Sequence, residues 1–414
     1  MSGPALERVF RAASGRIIAV LAARYRSLAL AEDAFSEACL RALRAWPESG
    51  VPDDPAAWLY RAASRVVLDA LRQQSVRERH SIAEPPTEPS AEELLADDSQ
   101  VIPDERLRLI FICCHPAVAP DARAALTLRL VCGLTVTEIA RAFLIEEAAL
   151  AQRLVRGKRK IAEAGVSFEL PPPELWPERL ESVLSTLEIA YSRAHEDASG
   201  TAARAHFAAE VLHLTSLLAQ LLPGESEAHA LAALVRYSEA RRPARVDAEG
   251  VMVPLSDQDP QLWNRERIAE ADALLTRAME LGPPTPRLLQ AELQKAWCVR
   301  GSLAEAAPWP QILSIYDRLA RLRDDPFVRI NRVVAMAEVH GPAVALQELE
   351  RLDCSKLAAF APYHAVRADF LARVGRRDDA RQAYETVLSL DPPPAEERWL
   401  RRKLTMLEYG TVTP

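Results

Sequence analysis

Gln152, Arg153, Arg156, Arg159 and Lys160 lie within nine residues of one another. Placed at 100° intervals on a helix that starts near Glu147, they share one arc with Ala149. Leu150, Leu154 and Ile161 fall on the opposite stripe. Gln and Arg can pair with base edges through two hydrogen bonds, and trailing bases can neutralise phosphates. The chemistry on offer is therefore nucleic-acid binding. A second basic set, Arg61, Arg65 and Arg72 in "AAWLYRAASRVVLDALRQQ", shares a helix face at i, i+4 and i+11. Alone, that stripe is equally a solvated surface.

The elements that would position these side chains are legible nearby. Thr135 can cap a helix, with Glu138 completing a capping box, and Ile139 and Phe143 then face inward. "LIEE" supplies a short turn before the basic helix, giving a helix-turn-helix whose basic face enters a major groove. Upstream, "ALAEDAFSEACLRALRAW" (29–46) forms an amphipathic helix with Ala34, Ala38, Leu40 and Leu43 apolar and Asp33, Glu37 and Arg41 exposed.

Bond chemistry finds no support. Gly157-Lys158 is followed by Arg159 within a helix, so no phosphate-binding GxxxxGK[ST] loop exists. HExxH, GxSxG and dinucleotide fingerprints are absent, and His195 beside Glu196 and Asp197 reads as a polar helix end. The six cysteines (39, 113, 114, 132, 298 and 354) form no CxxC pair. Cys113-Cys114-His115 reads as buried reduced thiols rather than a soft metal site. No enzyme activity, cofactor or metal is expected. "RIIAVLAARY" is too short and too charged to span a bilayer, so the expected location is cytoplasmic, without a membrane partner.

The 414 residues are 49% hydrophobic and 6% aromatic, with only 14 Gly, which favours helices and packed cores. No stretch shows sustained period-two alternation, so the expected fold class is all-α. The net charge of -7 is unevenly spread. Residues 1–80 hold 12 Lys and Arg against 9 Asp and Glu; residues 104–165 hold ten against seven. Between them, 81–103 hold six acids and no base, and read as an acidic flexible linker. The three prolines at 171–173 mark a second break. Residues 166–414 carry the whole net charge, so two basic modules precede an acidic domain at 170–414.

That domain contains a repeat. A tetratricopeptide-like hairpin needs a small residue at the helix crossing, a large apolar residue four on, another apolar residue seven on, and Pro about twelve on. Ala271, Leu275, Ala278 and Pro283 fit, as do Ala380, Tyr384, Val387 and Pro392. Ile312, Tyr316 and Leu319, then Ala345, Leu349 and Leu352, form weaker copies. The anchors at 271, 312, 345 and 380 step by 41, 33 and 35, so an insertion is expected near "GSLAEAAPWP".

Taken together, "AEDAFSEACLRALRAW", "PAAWLYRAASRVVLDALR" and "LTVTEIARAFLIEEAALAQRLVRGKRKI" resemble an extracytoplasmic-function sigma factor of bacterial RNA polymerase. "LRLIFICCHPAVAPDARAALTLRLVCGLT", "EARRPARVDAEG" and "DQDPQLWNRERIAEADALLTRA" resemble the subgroup with a C-terminal tetratricopeptide-like extension. The resemblance implies sigma region 2 at 1–80 and sigma region 4 at 104–165. It implies that Asp33, Ser36, Glu37 and Leu40 dock on the β′ clamp helices of core RNA polymerase, with the β flap as a further partner. Trp58, Arg61, Arg65 and Arg72 would capture the melted minus-ten element by stacking and charge. Gln152, Arg153, Arg156, Arg159 and Lys160 would bind the minus-thirty-five element of promoter DNA. A regulatory repeat domain with a protein or peptide ligand is the further implication. The chain departs from the family pattern at Ala63-Ser64-Arg65, at Ala149 and at "YSRAH" (191–195). The alternatives are a one-component DNA-binding regulator with a helical-repeat sensor, and a repeat scaffold with vestigial front modules.

Overall fold

A computed structural model describes residues 3–77, 102–131, 133–143, 145–166, 176–196, 202–323, 325–352, 357 and 360–409. The segment read as an acidic linker, except its last two residues, and the prolines at 171–173 lie outside these. Among the described residues the structure is helical, its sole extended pairing an isolated bridge between Val246 and Met252. Two compact units emerge: Met1–Ala194 with Ala209–Val211, and His195–Ala208 with Leu212–Pro414.

The first unit begins with α1 (Gly3–Tyr25), α2 (Leu28–Ser49) and α3 (Pro55–Arg77). Ser27 starts α2 by accepting from the Leu30 N–H at 3.2 Å, and Asp54 starts α3 by accepting from Ala57 at 2.9 Å. The buried stripe of α2 is Leu28, Ala31, Ala34, Phe35, Ala38, Ala42 and Trp46. Its alanines let the neighbouring helices approach closely, and α3 meets them with Leu59, Ala63 and Val67, all fully buried. Leu40 and Leu43, grouped with the apolar side in the sequence, remain 47% and 46% exposed beside Asp33 and Arg41. Helical spacing puts them about 60° or more off the alanine stripe, and size alone did not place them.

Four helices follow: α4 (Ile102–Cys113), α5 (Pro120–Leu130), α6 (Val136–Phe143) and α7 (Glu147–Glu163). α5 is the hub, burying Ala122, Ala124, Ala125, Leu126, Leu128 and Leu130. The predicted capping box forms at α6. The Thr135 hydroxyl accepts from the Glu138 N–H at 3.1 Å, while Glu138 accepts from the Thr135 N–H at 2.8 Å. α7 crosses α5 at Gly157, where a Cβ would come within 2.8 Å of a Leu126 methyl group. Next, α8 (Trp176–Glu196) seats Ser182 between Arg123, which donates to it at 2.7 Å, and the Cys114 carbonyl at 2.9 Å. Sequence reading assigned these residues to the acidic domain; up to Ala194 they belong to the first unit.

After α9 (Ala202–Leu221) the second unit runs through α10 (Ser226–Ala240), α11 (Arg265–Leu281), α12 (Pro286–Cys298) and α13 (Trp309–Leu322). It continues with α14 (Pro326–His340), α15 (Pro342–Glu350), α16 (Ala361–Arg373), α17 (Arg377–Ser389) and α18 (Pro394–Tyr409). Asn264, Thr285 and Asp325 cap their helices at 2.9, 3.2 and 2.9 Å. The expected anchors fall on alternate helices. Ala271, Leu275 and Ala278 are buried in α11, Ile312 and Leu319 in α13, Ala345 and Leu349 in α15, and Ala380, Tyr384 and Val387 in α17. The insertion expected from the 41-residue step is the α12–α13 connection. A longer excursion, 241–264, separates α10 from α11. Its tip meets α18, where Arg398 donates to the Gly250 carbonyl at 2.6 Å and Arg402 pairs with Asp247 at 2.9 Å. Backbone N–H groups of Val251 and Glu249 also point at Asp247, and Val251 leads in holding its carboxyl below the usual range.

Candidate nucleic-acid interface

α7 presents the basic arc as expected. Leu150, Leu154 and Ile161 are buried, whereas Gln152, Arg156, Arg159 and Lys160 are exposed. The five predicted side chains are nevertheless not equivalent. Arg153 is half-buried, its Nε 3.1 Å from an Asp121 carboxylate oxygen on α5, which anchors the helix to its module. Arg159 and Lys160 both reach Glu163, at 3.0 and 2.9 Å, and Lys160 leads in holding that carboxyl below its ordinary value. These pairs are exposed and worth little, so both cations can exchange Glu163 for a phosphate. Gln152 and Arg156 remain as exposed, adjacent side chains one turn apart. Val155, 62% exposed, borders them; it was missed because an apolar residue on a basic face reads as core. Such a side chain suits a thymine methyl group.

On α3 the structure brings Arg61 and Arg65 together on one exposed face, and Arg72 lies further along it, 3.5 Å from Asp69. Trp58 is half-buried rather than free to stack on its own. Its ring meets Trp46 edge-on at 5.4 Å, and Trp46 in turn meets Phe10 at 5.6 Å. This aromatic tier fixes the end of α3 from which the arginines extend. Ser64 is half-buried, and Ala63 is fully buried in the α2–α3 contact.

The α2 face combines acid with exposed apolar surface. Asp33 and Ser36 are exposed, and Leu40 and Leu43 follow. Glu37 accepts from Arg41 at 3.0 Å within the same helix. The two leucines add exposed apolar area to this charged face. Cys39, beside this face, has its thiol pushed up to about 12 by burial. Cys113 and Cys114 are buried, and Cys114 lies 3.6 Å from the Thr127 hydroxyl. Burial is the main cause raising its thiol above the ordinary value. No cluster of metal-ligating side chains occurs among the described residues, and none of their helices is long and apolar enough to cross a membrane.

Three stretches match known families. Residues 9–77 match Sigma-70 region 2, and residues 108–161 match Sigma-70, region 4. Residues 179–279 match a family of unknown function, DUF6596. The chain is also similar to uncharacterized protein R00370 of Rhizobium meliloti (strain 1021). The two are 38% identical over 397 residues, covering 94% of this chain and 92% of that one. No solved structure matches.

Proposed function

The chain belongs to one family with the Rhizobium protein and is a sigma factor carrying sigma-70 regions 2 and 4, and from this premise we propose how its residues divide the work. It binds RNA polymerase and recognises promoters. We assign it to the extracytoplasmic-function type, acting in the cytoplasm. Asp33, Ser36, Glu37 and Leu40, with Leu43 beside them, dock on the β′ clamp helices, where the leucines lose their water and the carboxylates meet basic side chains. Arg61, Arg65 and Arg72 hold the phosphates of the opened minus-ten strand, and Trp58 supports their helix and offers an aromatic edge to a base.

Gln152 and Arg156 read base edges of the minus-thirty-five element, while Arg159 and Lys160 neutralise phosphates and Arg153 sets the helix pitch through Asp121. Region 4 also contacts the β flap. The helices after α8 form tetratricopeptide-like repeats that regulate initiation and take a protein or peptide ligand. The observation that carries the reading is α7 itself, a helix buried on one stripe and exposing Gln152 and Arg156 on the other. No bond is made or broken by this chain: its binding energy opens DNA, and the polymerase core does the chemistry.

Exchanging Asp33 and Glu37 for Lys tests the assignment. The Asp33→Lys, Glu37→Lys variant is expected to keep its affinity for an isolated minus-thirty-five duplex while losing core polymerase binding by at least tenfold. Equal binding of core by both proteins would instead favour a one-component regulator that works without this face.

A further inference from the structure

Helix α8 lies beyond the stretch that matches Sigma-70, region 4, which ends at 161, and mostly within the stretch that matches DUF6596, which begins at 179. It is nevertheless built into the first unit. Ser182 and Thr186, one turn apart, face region 4, where both meet Cys114: Ser182 at its carbonyl and Thr186 at its side chain. Helical spacing puts the buried apolar stripe of Leu180, Leu184, Leu187 and Tyr191 on the other side of α8. On the side of region 4 the contact is therefore made by directional hydrogen bonds.

Arg123 receives it. Its Nε donates to the Val118 carbonyl at 2.7 Å and one terminal nitrogen to the Pro116 carbonyl at 3.1 Å, while the other donates to the Ser182 hydroxyl at 2.7 Å. That hydroxyl donates in turn to the Cys114 carbonyl at 2.9 Å. One guanidinium and one hydroxyl thus tie the end of α4, the α4–α5 loop and α8 to the first turn of α5. Ala119 stands at the N-cap of that turn, where no side chain accepts a hydrogen bond, so the turn lacks the usual support of a capping side chain. Two positions before Arg123, Asp121 projects from the opposite side of the same turn and pairs with Arg153 of the reader helix at 3.1 Å. The first turn of α5 is held by α8 on one side and holds α7 on the other.

We propose that Ser182 and Arg123 are positioning residues for the minus-thirty-five reader: α8 fixes the first turn of α5, and that turn sets the pitch of α7 through Asp121 and Arg153. The inference rests on the reading of α7 given above. A helix outside the sigma-70 match then completes the reading module. Ser182, held between Arg123 and the Cys114 carbonyl, acts through other residues. Base readout needs Gln152 and Arg156 held at hydrogen-bond geometry, whereas the phosphate contacts of Arg159 and Lys160 carry no sequence information. A loosened first turn is felt in sequence preference before it is felt in overall affinity.

The test uses the full chain and a duplex that the wild-type protein selects from a randomised pool, with a scrambled duplex as control. Ser182→Ala removes the hydroxyl without weakening α8 itself, since Ala is the better helix former. Its preference for the selected duplex should fall about three- to tenfold, with scrambled binding and its salt slope unchanged. Ser182→Thr keeps the hydroxyl and should restore the wild-type ratio. In an Asp121→Asn background Ser182→Ala should cost nothing further, because the route through Asp121 is already cut. Three results would overturn the proposal: an unchanged ratio in Ser182→Ala, an equal fall on both duplexes, as general destabilisation gives, or losses that add in full in the double variant. A wild-type chain that selects no sequence would instead sink the promoter-reading assignment, and the proposal with it. Selection by the wild type followed by an indifferent Ser182→Ala overturns the positioning role alone.

Discussion

Arg156 and Arg153 are one residue type three positions apart on the same helix, yet they are set up for different tasks. Arg153 is spent on Asp121, whereas Arg156 is exposed beside Gln152. Arg156→Ala should therefore cost about 1–3 kcal/mol of specific duplex binding and relax the preference at one base pair. Lys160→Ala should weaken binding to all sequences alike and lower the salt slope by about 1. Fluorescence anisotropy titrations on cognate and scrambled duplexes, repeated across salt concentrations, separate the two. Cys39 gives a prediction independent of DNA. Its thiol, pushed up to about 12, holds about a thousandfold less thiolate at pH 8 than one at the ordinary value of 9.0. Iodoacetamide should leave it unmodified in the folded chain and label it readily in denaturant. Because the folded value is raised, any stability from this group is present below pH 9 and lost as pH rises toward about 12. The arc on α7 was legible because helical periodicity alone sorts Leu150, Leu154 and Ile161 from the basic residues. The division of labour within it was not, since Asp121 lies 32 positions away and periodicity carries no information about a neighbouring helix.

At the scale of elements, Gly157 and Tyr384 test the two kinds of packing. Gly157→Val would push a branched side chain into Leu126 and should cost roughly 1–3 kcal/mol, along with DNA binding, as the reader helix is lifted from α5. Tyr384 is buried in α17 among Ala380, Val387 and Leu400, so Tyr384→Ala should cost about 3–5 kcal/mol, read as a lower melting temperature of the second unit. Truncation separates α8 from the helices that follow it. A chain ending at 196 keeps Ser182 in place between Arg123 and Cys114, whereas one ending at 168 loses it. The shorter chain should show the less stable region 4 in thermal unfolding. The buried positions of α11, α13, α15 and α17 and the capping box were readable because both follow local patterns of spacing. The excursion at 241–264 left no such trace. Its partners Arg398 and Arg402 are about 150 positions downstream, and its order comes from carbonyls and from Asp247 rather than from an apolar period.

For the molecule as a whole, the charge boundary and the structural boundary do not coincide. Beyond residue 165 the first unit gains six acids and two bases, so its net charge is -4 and that of the second unit -3. Similarity to the Rhizobium protein runs over 94% of this chain and so spans both units. All-α architecture was open to a sequence reader because composition, caps and helical stripes agreed, and the two sigma modules were open through their resemblance to a known family. The contact of Glu32 with Arg129 and Lys158 was hidden, because Glu32 carries no sign in the sequence of the two cations it meets 97 and 126 positions later. The most direct measurement is run-off transcription with purified bacterial core polymerase, the full chain and a genomic promoter library. Specific transcripts that disappear without the chain, and with its Asp33→Lys, Glu37→Lys variant, are the predicted result. Firm duplex binding by the chain alone, with no transcript from any promoter, would contradict the account.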